Sequence, residues 1–220
     1  MRWLCEAASY DAGDFFAFEV ASGRLVDADH PLERAYSIPV VTRVGETEFA
    51  RFSIDLALPR DDIDVEWIEP QTLVTGEAAV DNIPRVATLT FPAQLADKVC
   101  ALYERHGEGA EHSSRARDLA DIAMIASQVD IDGTELAGRV RAEEQRRRVA
   151  GTLTEPLPNT LTLPPVQQYD WSRRWTKATR GAPITFEDAL ALASALMDPI
   201  LDGRAADARW DATQRACSHR

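Results

Sequence analysis

An α+β fold is the expectation for this 220-residue chain, and two observations carry it. Through roughly the first ninety residues apolar and polar side chains alternate in short runs with the period of strands. From Pro92 onward the apolar residues recur with the longer period of helices. Apolar and charged fractions of 45% and 27% are those of an ordinary globular protein. The length suits one large domain or two small lobes.

The strands come first. Residues 15–20 are a short aromatic and apolar run, and 38–44 and 49–58 read as two strands around the turn Gly45-Glu46. In the second of these Phe52, Ile54, Leu56 and Leu58 alternate strictly, which turns Arg51, Ser53, Asp55 and Ala57 to the other face. Residues 65–68 and 86–91 are further short strands, separated by an acidic loop at 59–64. The helices follow. Pro92 is well placed in a first turn, and Leu95, Val99 and Leu102 form a stripe that Gly107 and Gly109 end. Ser113 or Ser114 is expected to cap the next helix, whose stripe is Leu119, Ile122, Ala123 and Ala126. A third helix spans 134–149, a Pro/Thr/Leu strap runs over 152–165, and two more helices are expected at 171–179 and 185–201. Asp198-Pro199 is expected to kink or shorten the last, and the tail from Gly203 to fray.

Composition narrows the function classes. No segment approaches the roughly 20 apolar residues of a membrane span. The start Met1-Arg2-Trp3-Leu4-Cys5-Glu6 lacks the apolar core of a signal peptide, so a cytoplasmic location is expected. Cys5, Cys100 and Cys217 are scattered, which argues against a disulfide framework and a zinc site. His106 and His112 flank the Gly-rich break without a third ligand and read as loop residues. The net charge of −12 conceals an uneven distribution. Residues 1–138 hold 11 basic and 26 acidic side chains, residues 139–180 hold 9 and 4, and residues 181–220 hold 4 and 6. Screening limits a charge to about 8 Å, so the basic middle segment is a candidate polyanion contact; a solvated helix face is the competing reading.

Only two of the 24 basic residues are lysines, and Lys98 lies in the most chemical-looking stretch. A compact ammonium serves a phosphate differently from a planar guanidinium; codon usage with a chance survivor explains the same scarcity. Lys98 flanks the buried stripe of its helix, and Asp118 flanks that of the following one. Helices joined by a short link pack antiparallel, so the two side chains are expected to face one cleft, with Asp55 projecting from a neighbouring strand. Lysine with carboxylates at such a junction suits nucleotide chemistry. A structural salt bridge fits the same spacing.

Three segments carry a resemblance: Phe52-Ser53-Ile54-Asp55-Leu56, the helix start Phe91-Pro92 leading to Ala96-Asp97-Lys98, and Ser113-Ser114-Arg115-Ala116-Arg117-Asp118-Leu119-Ala120-Asp121. Together they resemble the AbiEii-type nucleotidyltransferase toxins of bacterial type IV toxin–antitoxin and abortive-infection systems. That family shows a Pro-initiated Ala-Glu-Lys helix and then an Asn/Ser-Arg-x-x-Asp-x-x-Asp helix start. The resemblance implies a nucleotidyltransferase-like mixed sheet over 1–130 and a helical C-terminal lobe over 131–220. It implies nucleotide transfer from NTP to an RNA, tRNA in the mycobacterial relatives, with Mg²⁺ as cofactor and a cognate antitoxin as partner. Lys98 would hold the triphosphate, Asp118 would complete the catalytic set, and Asp55 would be its metal-binding strand carboxylate. Arg139, Arg141, Arg146, Arg147 and Arg148, with Arg173, Arg174, Lys177 and Arg180, would take the RNA phosphates. The family's Gly-Ser helix and Asp-x-Asp strand have no counterpart here, so the core is expected to be incomplete at its N-terminus, residues 1–9 matching the end of the helix that follows them. Asp11 and Asp14 lie in a loop, and Asp27-Ala28-Asp29 lacks the Gly-Ser helix ahead of it. An inactive relative that binds RNA or antitoxin is the alternative.

Overall fold

The computed structural model describes residues 2–11, 13, 15–26, 35–57, 64–70, 84–106, 111–181, 183–205 and 207–219. Its contacts divide the chain into two units, Met1–Asp61 and Asp62–Arg220. Asp14, Asp27 and Asp29 lie outside the described residues, as does the Gly-rich break at 107–110.

The first unit holds helix α1 (Arg2–Ala8) and strands β1 (Phe16–Val20), β2 (Arg24–Val26), β3 (Ala35–Val44) and β4 (Thr47–Ala57). β3 is its spine: one edge takes β4, and the other takes β1 against residues 40–44 and β2 against residues 35–37. Every pairing is antiparallel. The turn Gly45-Glu46 joins Val44 to Thr47, as read from the sequence. The alternation in β4 is also present, with Ile54 opposite Ile38 and Phe52 opposite Val40. Burial is concentrated on the β3 side, at Ile38, Val40 and Thr42, while Phe52 and Leu56 stay exposed.

The second unit begins with the antiparallel pair β5 (Val65–Ile68) and β6 (Val86–Leu89). Helix α2 (Phe91–Tyr103) follows, with proline in its first turn. It stops where Glu104 turns extended. A two-residue hairpin, β7 (Arg105–His106) and β8 (Glu111–His112), carries the two histidines read as loop residues. Then come α3 (Ala116–Gln128), β9 (Ile131–Asp132), α4 (Gly133–Ala150), α5 (Pro165–Ala178), α6 (Phe186–Leu201), β10 (Ala208–Asp211) and β11 (Ala216–His219). The core joins Leu95, Val99 and Leu102 of α2 to Leu119 and Ile122 of α3, Leu136 of α4 and Leu196 and Met197 of α6. Each such side chain contributes about 1.5–3 kcal/mol by leaving water. The expected division near residue 130 falls inside this unit, where α2 packs on α4.

Local chemistry sets the helix ends. The Asp132 carboxylate accepts from the Glu135 N–H at 3.0 Å, an N-cap, and Gly151 at φ +79° closes α4 in the left-handed region. Gly133 permits close approach: a Cβ there would lie 2.7 Å from the carbonyls of Ala205 and Ala208. Neither Ser113 nor Ser114 caps α3. Arg115 occupies that position, and the Ser113 hydroxyl accepts from its N–H at 3.2 Å, just outside the helix.

Three further expectations are revised. α5 starts six residues before Trp171, because Pro165 fits the first helical turn and Gln167, Trp171 and Trp175 make a buried stripe. α6 runs through Pro199 to Leu201; so near the C-terminus, the proline disturbs only the last turn. The tail does not fray: β10 pairs with both β11 and β9, and Trp210, 1% exposed, donates its indole N–H to the Ala126 carbonyl at 2.8 Å. The strap at 151–164 lies against the unit through buried Leu153, Leu161 and Leu163. The Thr162 N–H donates to the Tyr103 hydroxyl at 3.1 Å, and the Leu161 N–H to Asp198 at 2.7 Å.

Candidate active site

Lys98 and Asp118 are twenty residues apart in sequence, and the packing of α2 against α3 brings them together. Lys98 Nζ donates to Asp118 Oδ1 at 3.1 Å and to Asp121 Oδ2 at 2.6 Å. Asp121 was not among the sequence-predicted site residues. Its signal was its position three residues after Asp118, which puts both carboxylates on one helix flank. Arg115 adds a second cation, 4.0 Å from Asp118 Oδ2.

The environment fixes the charge states. Burial pushes the Asp118 carboxyl above its ordinary range, against the opposing pull of Lys98. Burial pushes the Lys98 ammonium down, but its hydrogen bond to Asp121 and the charges of both aspartates outweigh that and hold it above an ordinary lysine. Lys98 is therefore a persistent cation at neutral pH and not a base. The salt bridge that competed with the nucleotide reading is present, so the geometry alone serves both.

Adjacent residues of the motif point to different partners, because neighbours on a helix diverge by about 100°. Lys98 reaches α3. Asp97 reaches α4 and accepts from Arg147 Nη2 at 2.6 Å. Arg147 also donates to Glu143 at 2.6 Å and lies 2.5 Å from Glu104 Oε1. It is 1% exposed. Sequence reasoning placed Arg147 on RNA; the structure makes it the ionic tie between α2 and α4. Arg146 is held by Glu143 at 2.8 Å, and Arg139 pairs with Asp64. Of the sequence-predicted α4 arginines, Arg141 and Arg148 are exposed without an ion pair among the described residues.

On α5 the picture reverses. Arg173, Arg174, Lys177 and Arg180 are all exposed, with no carboxylate partner among the described residues. No acidic residue occurs from 171 to 186. Asp55 belongs to the first unit, exposed on β4 across from Ser37. Among the described residues no group of three or more His, Cys, Asp or Glu is arranged to hold a metal. Between Asp118 and Asp121 the cation is already the Lys98 ammonium. These residues do not fit a Mg²⁺ centre.

Among the described residues no helix is long and apolar enough to cross a membrane. No curated protein matches the chain. Among solved structures it is similar to MenT4, a nucleotidyltransferase toxin from Mycobacterium tuberculosis, with a TM-score of 0.52 and 16% identity over 93% of this chain and 72% of that one. At that identity the likeness shows the fold. The sequence model of the nucleotidyl transferase AbiEii toxins of type IV toxin–antitoxin systems matches residues 4–215. A match over nearly the whole chain places it in a family: the protein belongs to the AbiEii nucleotidyltransferase toxins of type IV toxin–antitoxin systems.

Proposed function

We propose that this chain transfers nucleotides from an NTP to an RNA acceptor, a tRNA, in the bacterial cytoplasm, and that a cognate antitoxin opposes it. One observation carries the reading: Lys98, a rare lysine, is held as a permanent cation by two carboxylates of unequal exposure. Asp118 is 17% exposed at its side chain and Asp121 36%. A triphosphate approaching Lys98 would displace the more exposed Asp121, while Asp118 keeps the ammonium aimed. In the transfer an acceptor hydroxyl gives up its proton to solvent as its oxygen bonds to the α-phosphorus, the α–β phosphoanhydride bond breaks, and pyrophosphate leaves. Lys98 offsets charge on the phosphate oxygens.

The test is binding of each NTP with Mg²⁺ to the whole chain and to Lys98→Ala and Lys98→Arg. Loss of a charge-assisted contact predicts affinity about 10- to 100-fold weaker for Lys98→Ala. Lys98→Arg retains the ion pairs, and so the melting temperature, but presents a fork where a point charge is needed and is expected to bind more weakly. Wild-type affinity in both variants would refute the assignment. The pairing of the Lys98 ammonium with both Asp118 and Asp121 favours a second reading, an inactive relative that binds RNA or antitoxin. That reading predicts no NTP binding and intact RNA binding.

A further inference from the structure

The exposed face of α5 has an organisation that the nucleotide site does not use. Gln167, Trp171 and Trp175 are buried at i, i+4 and i+8. Tyr169, Arg173 and Lys177, also at i, i+4 and i+8, occupy an arc of about 80° on the opposite side. Tyr169 is 61% exposed, and the Arg173 guanidinium lies 5.5 Å from its ring centroid, within cation–π range. Arg173 also donates to the Tyr169 hydroxyl at 3.4 Å. Arg180 extends the positive charge beyond the helix, and exposed Asp170 is the one acid between Tyr169 and Phe186. In a chain of net charge −12 this local, unpaired positive stripe stands out, because the α4 arginines Arg139, Arg146 and Arg147 are engaged by acids.

The helix is also anchored to the elements of the candidate active site. The Trp171 indole N–H donates to the Ser113 carbonyl at 3.2 Å, five residues before Asp118. The Gln167 amide donates to the Leu102 carbonyl at 3.3 Å, at the end of the helix that carries Lys98.

We infer that this face is a stacking platform for unpaired bases of a single-stranded RNA segment. Tyr169, with Arg173 holding it, supplies the π-surface, and Arg173, Lys177 and Arg180 neutralise the flanking phosphates. The inference rests on the RNA acceptor of the proposed function and adds how that RNA is held. An aromatic ring interleaved with cations is what unpaired nucleotides need, since every base has a π-face and every linkage a charge. An acidic protein surface would use the cations and leave the ring idle.

The test compares, by fluorescence anisotropy, a short single-stranded RNA with an abasic oligonucleotide of equal length. Both are measured on the full chain over a range of salt. Wild type should prefer the RNA. Tyr169→Ala should weaken RNA binding about tenfold, within the roughly 5- to 150-fold range for loss of one stack, and leave abasic binding unchanged. Tyr169→Phe should restore the preference. Lys177→Ala should weaken both ligands and lower the salt slope by about 0.7. Equal binding of RNA and abasic strand by wild type, or an unchanged RNA affinity in Tyr169→Ala, overturns the inference. So does polyglutamate competing for this face as strongly as RNA. NTP binding, measured separately, reports on Lys98: its failure with Tyr169-dependent RNA binding intact removes the transferase reading and leaves this one standing.

Discussion

Replacing Arg147 by alanine would strand three carboxylates around one vacated guanidinium. Asp97 and Glu143 each lie 2.6 Å from it and Glu104 lies 2.5 Å away. The Glu104 side chain is 0% exposed and that of Glu143 is 8% exposed, so neither recovers hydration when its counter-charge goes. The Glu104 contact is a close charge pairing without hydrogen-bond alignment, which makes that carboxylate the most dependent on the cation. Removing one member of such a buried group costs about 3–5 kcal/mol. For a chain of this size about 2–4 °C accompanies each kcal/mol, so the melting transition should fall by roughly 6–20 °C. Arg148→Ala, one residue on and exposed, should cost less than about 0.5 kcal/mol. Combining Arg147→Met with Glu104→Gln should recover part of the loss, because the uncompensated charge is then removed with its partner. The assay is urea and thermal denaturation of the three variants beside wild type, with RNA affinity measured on the folded fraction. A loss below about 1 kcal/mol for Arg147→Ala would refute the reasoning. Reduced RNA affinity with unchanged stability would refute it equally, and would return Arg147 to the RNA surface.

The same network predicts a pH dependence. Burial pushes the Glu143 carboxyl up, but hydrogen bonds from Arg146 and Arg147 outweigh it and hold the group below an ordinary glutamate. A carboxylate depressed on folding stabilises above its unfolded pKa, and the stabilisation is lost as pH falls through the folded one. Wild type should therefore lose stability between about pH 5 and 3 more steeply than Glu143→Gln; parallel melting curves against pH would contradict this. Trp210→Ala should destabilise by about 3–5 kcal/mol, since it empties a fully buried site and orphans the Ala126 carbonyl. A change within about 0.5 kcal/mol would mean that the C-terminal hairpin is dispensable.

Periodicity made the elements legible. Strands 16–20, 35–44 and 47–57 and helices 91–103, 133–150 and 186–201 all lie where alternation, apolar stripes and turn residues put them. The juxtaposition of Lys98 with Asp118 was legible too, because each flanks the apolar stripe by which its helix packs on the other. The C-terminal hairpin was not, since its strands are four residues each and acquire their order from β9, almost eighty residues earlier. No local pattern records such a partner.

By itself, the sequence determined the fold class, the family and the Lys98 motif, because these reside in residue types and spacings. The fate of each charge was decided only by the tertiary structure. Three adjacent arginines, Arg146, Arg147 and Arg148, read alike as one basic run. Successive 100° rotations about α4 send one to a carboxylate on its own helix, one into a buried acidic pocket and one to solvent. A charge that a fold-imposed partner already holds reaches a ligand only by displacing that partner, and a buried partner resists displacement. Of the cations read from the sequence as RNA contacts, those left unpaired among the described residues are Arg141 and Arg148 on α4, Arg173, Arg174 and Lys177 on α5 and Arg180 beyond it, a division that only the packing of each side chain against its neighbours could make.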